Sequence, residues 1–371
     1  MPSPSRQISV LYDNQIFETQ KYGGISRYFY ELAKRMEHVD SKIAIIFSKN
    51  YYISEKDITQ YYAGVPEQIY KMLRGMFKIA NNWNTIIKLA REFDLLHPTY
   101  YNPYFLPYLK DKKFVLTVHD MIHEKFPEYF SKDDKTASNK ALLVEKATRI
   151  IAISQNTKND LVKILNVDPD KIDVIYHGIN TTITGYNKLI LPEKYILYVG
   201  ERSGYKNFDR LLEAFKIIHC ENPDLKLVCT GKKFKSGELT SFENAGLKDE
   251  IIYVNANDLE LEQLYSQAHV FVYPYIYEGF GIPILEAYSF SCPIALSNTS
   301  CFPEIAGYAG EFFDPYSVPD IIRAINNVIN NPERRSQLID FGHQRVKRYT
   351  WNETARQTEL SYFRALGISS F

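Results

Sequence analysis

Short apolar, β-branched runs alternate with amphipathic helical segments along almost the whole chain, and this alternation constrains the fold more than any other feature. One series of strand-like runs lies at 8–12, 43–47, 95–97, 114–119, 149–153 and 172–176. A second series lies at 195–199, 225–230, 251–254, 270–273 and 293–297. Between the runs, apolar residues recur at helical spacing, as at 25–36, 207–218 and 259–268. Strands that alternate with helices predict parallel sheets covered by helices on both faces, an α/β fold.

A stretch without periodicity, 178–193, separates the two series. It predicts a linker between two Rossmann-like domains, residues 1–180 and 190–349. Sheets of this kind bind ligands beyond the carboxyl ends of their strands, so we expect the site in a cleft between the two domains. The last segment, 350–371, is helical again and either closes the second domain or crosses back to the first.

The composition is that of an ordinary globular protein. In 371 residues, 44 Lys and Arg balance 44 Asp and Glu, which argues against nucleic acid as the main partner. The four cysteines form neither a C-x-x-C pair nor a zinc pattern, and we interpret them as reduced thiols of a cytoplasmic protein. A short polar N-terminus predicts no signal peptide, and the absence of a 20-residue apolar run predicts no membrane span.

The segment 69–91 mixes apolar and basic residues and contains no acidic residue before Glu92. Its cations are Lys71, Arg74, Lys78, Lys88 and Arg91. Such a basic amphipathic helix can lie on the anionic inner face of a membrane. The alternative is a helix that packs into the core and exposes a basic face.

The strongest chemical motif is Glu278-Gly-Phe-Gly-Ile-Pro-Ile-Leu-Glu286, which directly follows a strand-like run. Its glycines allow the backbone to approach a ligand, and Pro283 suits the first turn of a helix. We expect Glu286 in that first turn, close to the free N–H groups of the helix start. The two carboxylates are then placed to bind sugar and ribose hydroxyls. The alternative is a capping glutamate and a surface glutamate.

A second strand end carries Gly200-Glu-Arg202-Ser-Gly204-Tyr-Lys206-Asn207. Arg202 and Lys206 stand just before a helix whose expected N-cap is Asn207. Two cations beside a helix N-terminus are typical of a diphosphate site. The alternative is a pair of solvated cations.

Two motifs in the first domain are weaker. Tyr22-Gly23-Gly24-Ile-Ser-Arg27 opens a helix but departs from G-x-G-x-x-G, which argues against a nicotinamide dinucleotide. His119 ends a strand and either contacts substrate or is a core histidine bonded to backbone. We find no acidic pair suited to a metal, because Asp168-Pro-Asp170 is explained as a cap.

Taken together and in this order, the motifs resemble those of the retaining glycosyltransferases of family 4, and the resemblance covers nearly the whole chain. It implies the GT-B fold, with a C-terminal helix crossing back to the first domain, and a nucleotide-sugar donor that needs no metal or other cofactor. The second domain would bind the donor and the first the acceptor. The string around Arg202 is most similar to bacterial mannosyltransferases of O-antigens and exopolysaccharides, which favours GDP-mannose, with UDP-sugars next.

The resemblance also implies roles for single residues. Glu278 would hold the donor sugar at the reacting centre, and Glu286 the ribose. The backbone that binds sugar and phosphate oxygens would be that of Gly279, Phe280, Gly281 and Ile282. Arg202 and Lys206 would neutralise the diphosphate, His119 would contact the sugar, and Gly23 and Gly24 would allow closure on the phosphates. The base would lie near Val254 and Leu259.

The acceptor is a glycan or lipid-linked glycan on this interpretation. Tyrosines of the first domain are candidates for stacking on it: Tyr51-Tyr52, Tyr61-Tyr62 and Tyr100-Tyr-Asn-Pro-Tyr104. The rival functions are a sugar-nucleotide epimerase or hydrolase on the same fold, and a binding protein without catalysis.

Overall fold

The computed structural model describes residues 7–54, 65–91, 93–180, 189–202 and 204–368. The chain divides into two compact units, and each contains one parallel sheet. The first unit holds the residues up to Gly178 together with those from Thr350 onward, and the second holds Ile179–Tyr349. The change of unit falls inside the predicted linker, of which 181–188 lie outside the described residues, as do Tyr61 and Tyr62.

The strands of the first unit are β1 Ile8–Tyr12, β2 Val39–Ile43, β3 Leu95–His97, β4 Lys113–Val118, β5 Arg149–Ala152 and β6 Ile172–Val174. Those of the second are β7 Tyr195–Val199, β8 Lys226–Thr230, β9 Ile251–Val254, β10 Val270–Tyr273, β11 Ile294–Ser297 and β12 Gly310–Phe313.

The helices of the first half are α1 Gln15–Thr19, α2 Gly24–Arg35, α3 Glu67–Arg91, α4 Ile122–Lys125, α5 Thr136–Lys146 and α6 Gln155–Leu165. They are followed by α7 Phe208–Glu221, α8 Ser236–Asn244, α9 Asp258–Gln267, α10 Ile282–Ser289 and α11 Phe302–Ala306. The last three are α12 Val318–Ile329, α13 Pro332–Val346 and α14 Trp351–Leu366.

All strand pairs are parallel, in the orders β2-β1-β3-β4-β5-β6 and β12-β11-β10-β7-β8-β9. The predicted α/β class is therefore confirmed. In each sheet the chain first builds outward in one direction and then returns to the other side of its first strand. The resulting switch points lie between β1 and β3 and between β7 and β10. Ligands of open parallel sheets bind at such points.

Two edge strands differ from the sequence prediction. The predicted run 43–47 is wrong as a strand, because β2 occupies Val39–Ile43 and the chain then turns toward α3, where Phe47 stacks on Phe77. Strand β12 falls in none of the predicted runs. Both strands have a single neighbour and include polar residues, so they lack the continuous apolar run of a central strand.

The last helix, α14, belongs to the first unit and packs against α2 and the sheet. Its Tyr362 hydroxyl lies 3.0 Å from the Tyr12 hydroxyl and 2.7 Å from Nδ1 of His97. The other ring nitrogen of His97 lies 2.9 Å from Oγ1 of Thr117. These buried groups have one another as partners, so the helix is joined to the sheet by polar contacts that leave no donor or acceptor unpaired among them.

Helix α3 presents two different faces. Tyr70, Asn81, Thr85 and Leu89 are buried against the unit. On the opposite side runs a stripe of apolar residues that are 42% to 74% exposed: Ile69, Met72, Met76, Ile79, Trp83 and Ile87. The core-packing alternative is therefore wrong for these six residues. No helix in the described part of the chain is long and apolar enough to cross a bilayer.

Candidate active site

The loops that follow β7 and β10 meet at the switch point of the second sheet. Gly200, directly after β7, has φ +125°, and a Cβ there would lie 2.1 Å from the Tyr275 hydroxyl oxygen. That hydroxyl donates to the Val199 carbonyl over 2.9 Å. Only glycine suits this combination of backbone conformation and close approach, so the two loops are held directly against each other.

Lys206 and Glu278 come together across this junction. The Lys206 Nζ lies 3.5 Å from Oε2 of Glu278 and 4.2 Å from the centroid of the Tyr275 ring. Burial acts to lower the pKa of the Lys206 ammonium, but the Glu278 carboxylate and the neighbouring Tyr275 raise it above its ordinary value. Lys206 is therefore a cation held at the carboxyl edge of the sheet.

The backbone of Glu278 is fixed by a loop that the sequence analysis did not single out. The Ser300 hydroxyl accepts from the Glu278 N–H over 3.2 Å and donates to the Glu278 carbonyl over 2.7 Å. Thr299 donates to the Ile276 carbonyl over 2.9 Å, and Cys301 also contacts the Glu278 carbonyl. The available sequence signal was the polar Asn-Thr-Ser at the end of the run 293–297, the next strand end along the sheet.

Helix α10 starts directly after the glycine loop. Gly281 occupies its N-cap position with φ +87°, and a Cβ there would lie 3.0 Å from Cδ1 of Ile284. Pro283 lies in the first turn, as predicted. Glu286 does not, because the helix begins at Ile282 and no acidic residue falls in its first turn. Glu286 is one turn further along, where its Oε2 accepts from the Tyr265 hydroxyl over 3.2 Å.

Arg202 is engaged inside the second unit. Its side chain is only 2% exposed, and its Nε lies 2.7 Å from Oε1 of Glu238. The guanidinium also donates to the Lys232 carbonyl, and its Cζ lies 4.8 Å from the Phe234 ring centroid. In this arrangement Arg202 holds the segment after β8 in place. To contact a diphosphate, its guanidinium has to leave Glu238 or the Lys232 carbonyl.

Asn207 occupies the N-cap position of α7, but its side chain makes no capping bond. It donates instead to the Pro274 carbonyl over 3.0 Å and to the Pro315 carbonyl over 2.8 Å. The predicted N-cap position is therefore confirmed, but the Asn207 side chain bonds to neighbouring loops and not to the helix start. Because its amide reaches the loops after β10 and β12, Asn207 ties three strand ends together.

The remaining donor candidates of the second unit are backbone positions and the proposed base region. Gly279 and Phe280 are buried in the loop before α10, and Ile282 opens that helix. Val254 ends β9, and Leu259 is the second residue of α9. The side chain of Asn257 caps α9 by accepting from the Glu260 N–H over 3.0 Å.

In the first unit, Gly23 occupies the N-cap of α2 and Gly24 begins that helix. The side chain of Gln20 covers the helix start, since its Oε1 accepts from the Ser26 N–H over 3.2 Å. A Cβ at Gly23 would lie 2.4 Å from the same oxygen. Gly23 thus leaves the space that the Gln20 side chain occupies.

His119 directly follows β4 and is buried, with its ring packed against Tyr28 and Phe29. Its Nε2 is buried without a hydrogen-bond partner in the described structure. Burial, with His97 and Lys140 nearby, lowers the pKa of His119 to about 3. The imidazole is therefore neutral at physiological pH, and a buried nitrogen of this kind is available to a ligand hydroxyl.

The second unit thus places a carboxylate, an ammonium and the N–H groups of a helix start together at the carboxyl ends of the central strands β7 and β10. This set can hold an anionic ligand that also carries hydroxyl groups. Among the residues that the structure describes, no three His, Cys, Asp or Glu side chains group closely enough to bind a metal ion.

Comparison with known proteins agrees with this geometry. The family described as Glycosyltransferase Family 4 matches residues 22–183, and Glycosyl transferases group 1 matches residues 185–345. O-antigen chain mannosyltransferase B of Escherichia coli is 28% identical over 304 residues, which are 74% of this chain and 80% of the relative. O-antigen chain mannosyltransferase RfbU of Salmonella typhimurium is 27% identical over 248 residues, 67% of this chain and 68% of the relative.

Solved structures share the fold at lower identity. HepE from Anabaena in complex with UDP superposes with a TM-score of 0.71 at 16% identity, covering 96% of this chain and all of HepE. Sucrose-phosphate synthase from Thermosynechococcus elongatus gives 0.72 at 20% identity, covering 98% of this chain and all of that one. The chain therefore belongs to the glycosyltransferases of family 4, has their two-domain GT-B fold and is similar to bacterial O-antigen mannosyltransferases.

Proposed function

We propose that this glycosyltransferase moves mannose from GDP-mannose to a glycan or lipid-linked glycan in cell-surface polysaccharide synthesis, with UDP-sugars as the next donor candidates. The observation that carries the proposal is the convergence of Lys206 and Glu278 at the switch point beside the start of α10. Two curated relatives are mannosyltransferases by name, which supports mannose. The UDP in HepE is the reason to keep UDP-sugars as the second candidate.

On this proposal the second unit binds the donor. Lys206 and the N–H groups at the start of α10 hold the diphosphate, and Glu278 holds the donor-sugar hydroxyls. Lys206 is then released from Glu278 as the negatively charged phosphates arrive. Arg202 joins the diphosphate only by leaving Glu238, so donor binding would also rearrange the segment after β8. Glu286 binds the ribose from the second turn of α10.

The first unit binds the acceptor and supplies His119. Because the imidazole is neutral, it acts on the donor sugar as a hydrogen-bonding group and not as a cation. Its buried Nε2 is the atom that would take the hydroxyl.

We further propose that the reaction retains the anomeric configuration. The bond between the anomeric carbon and the diphosphate oxygen breaks as the acceptor oxygen attacks from the same face, and the acceptor proton passes to the leaving phosphate. Negative charge grows on that phosphate, so Lys206 and the start of α10 stabilise the transition state where charge develops. NMR of the product checks the assignment, and an inverted linkage excludes it.

The donor is tested by thermal unfolding with GDP, UDP, ADP and their sugars. A ligand that binds the native state raises the unfolding temperature, so GDP and GDP-mannose should give the largest shifts. A larger shift with UDP would transfer the assignment to a UDP-sugar, and no shift with any nucleotide would remove the donor site. Turnover of the donor without an added acceptor, beyond slow hydrolysis, would favour an epimerase or hydrolase.

We also propose that α3 rests on the anionic inner face of a membrane, with the protein in the cytoplasm. The exposed apolar stripe would enter the interface, where the indole of Trp83 is favourable. Two copies packed through this stripe would bring cationic helices together, since α3 carries Lys71, Arg74, Lys78 and Lys88 against the single acid Glu67. An anionic lipid surface is the complementary partner.

Flotation with vesicles tests this contact. Vesicles containing phosphatidylglycerol should carry the protein, and pure phosphatidylcholine should carry much less. Ile79→Ser with Trp83→Ser should release it, whereas Ile217→Ser, an exposed isoleucine of the second unit, should not. Equal binding of both vesicle types, or a dimer in solution that the double variant dissociates, would refute the proposal.

A further inference from the structure

The first sheet has a switch point of its own, and a pocket of about 480 Å³ opens there. Its walls come from the loops after β1 and β3, the early turns of α3 and the start of α5. A volume of this size is typical of small-molecule sites. The pocket therefore lies where the topology of the first sheet alone predicts a ligand.

The floor of the pocket is held in place by hydrogen bonds between the two strand ends. The Asn14 Oδ1 accepts from the Tyr104 hydroxyl over 3.0 Å. The Gln15 side chain pairs with the backbone of Asn102, accepting its N–H over 2.7 Å and donating to its carbonyl over 3.1 Å. The loop that carries Tyr100 and Tyr104 is therefore positioned before any ligand arrives, and aromatic side chains of this kind suit a sugar ring.

The rim of the pocket is cationic. Arg74, Lys78 and Lys135 line it, and none of them forms an ion pair with a described carboxylate. The one acidic residue in the lining, Glu18, is tied by hydrogen bonds from Asn14 and Asn81. Burial raises the pKa of Glu18 despite these bonds. Three positive charges face a single acidic side chain in the lining. They therefore suit a ligand with more than one negative charge better than a ligand with a single carboxylate.

The pocket also adjoins the strand end that carries His119. Tyr101 lines the pocket, and its hydroxyl accepts the His119 backbone N–H over 3.0 Å. The buried ammonium of Lys140 lies 5.0 Å from the centroid of the Tyr101 ring. Only the Tyr101 side chain therefore separates a ligand in the pocket from His119, the residue expected to contact the donor sugar.

We propose that this pocket is an acceptor subsite for a saccharide that bears a phosphate or diphosphate group. The saccharide lies against Tyr100 and Tyr104, and Arg74, Lys78 and Lys135 hold the phosphate. The assignment rests on the proposed glycosyltransferase reaction and adds the chemical class of the acceptor. The phosphate can belong to a soluble sugar phosphate or to a lipid-linked saccharide, since both present the same group.

Titration calorimetry of the full chain with saturating GDP, which occupies the donor site, tests the subsite. The probes are mannose 1-phosphate, methyl mannoside and inorganic phosphate. We expect mannose 1-phosphate to bind at least tenfold more tightly than either other probe. The double variant Arg74→Gln, Lys78→Gln should lose about tenfold of that affinity, the scale of one charge-assisted hydrogen bond. Both side chains are exposed, so the variant should fold normally.

Lys146→Gln, at the opposite exposed end of α5, is the matched control and should bind all three probes as the wild type does. Equal binding of the sugar phosphate and the methyl sugar would overturn the phosphate assignment. Equal binding of inorganic phosphate would overturn the saccharide contact. Transfer assays with a diphosphate-lipid saccharide and with mannose 1-phosphate then separate the two sources. GDP binding, measured separately by thermal shift, shows whether the donor proposal itself has failed.

Discussion

Replacing Ser300 by alanine tests whether Glu278 depends on the loop that holds its backbone. The serine hydroxyl makes two hydrogen bonds to Glu278, over 3.2 and 2.7 Å. A net hydrogen bond contributes about 1 kcal/mol, so the substitution removes about 2 kcal/mol of constraint on this residue. If that constraint acts fully in the transition state, kcat/KM falls by about 30-fold. The expected loss is therefore in catalysis, with the fold preserved.

Two further variants separate the hydroxyl from the backbone conformation, since Ser300 has φ +56°. Ser300→Gly favours that conformation but also lacks the hydroxyl, so it should lose as much activity as Ser300→Ala. Ser291 is a matched control, because it has φ +57° in the same unit and its hydroxyl contacts His343 instead. Ser291→Ala should keep full activity. Steady-state kinetics with varied donor provides the readout, and a Ser300→Ala enzyme within twofold of wild type refutes the reasoning.

Three other predictions follow from the described contacts. Lys206→Ala and Glu278→Ala should each abolish transfer while far-ultraviolet circular dichroism stays unchanged, because each removes one of the two side chains proposed to hold the donor. Tyr362→Phe should lower the free energy of unfolding by about 1–3 kcal/mol in urea titrations, since it leaves buried partners without their hydrogen bonds. Burial lowers the pKa of His97 and of His119 to about 3, so both are neutral when folded and take up protons near pH 6.5 when unfolded. The free energy of unfolding is therefore highest above pH 6.5 and decreases as the pH falls toward 3. By pH 5 each histidine accounts for a decrease of about 2 kcal/mol.

Each of these predictions has a control in the same chain. Lys248→Ala breaks an exposed ion pair with Glu243 in the second unit and should leave transfer intact. Tyr308→Phe alters a residue that is 89% exposed and should leave the unfolding free energy unchanged. His343→Gln, on the exposed side of α13, should leave the free energy of unfolding at pH 7.5 unchanged. An active Lys206→Ala enzyme, a Tyr362→Phe protein as stable as the wild type, or equal stability at pH 7.5 and pH 5 would each contradict the corresponding argument.

The central strands were predictable because both of their faces are buried. The runs at β1, β7 and β10 were predicted to the residue, since burial on both faces requires continuous apolar sequence. Two edge strands, β2 and β12, were not predicted, because polar residues such as Asp40 and Glu311 interrupt their apolar runs. The edge strand β9 lacks such an interruption and was predicted to the residue. Helix α14 was predicted over its full length, but the sequence periodicity alone left open which unit it joins.

In the candidate site, too, the local motifs were predictable from the sequence and their distant partners were not. Glu278, the glycine loop and Pro283 are local, and their spacing is enough to predict a strand, a loop and a helix start. The partners of these residues come from other strand ends: Ser300 from the loop after β11 and Lys206 from the loop after β7. The pairing of Arg202 with Glu238 joins the loop after β7 to helix α8, and the motif around Arg202 does not predict it.

The sequence by itself determined the alternation of strands and helices, the glycines where the backbone needs them, and the acidic and basic residues at strand ends. These depend on local spacing and on the conformational preferences of single residues. Only the tertiary structure decided the strand order, and with it the two switch points at which the Lys206–Glu278 pair and the first-unit pocket form. It also decided that the apolar stripe of α3 faces outward. The physical reason is that both outcomes follow from which distant surfaces bury each other, and local sequence does not specify that.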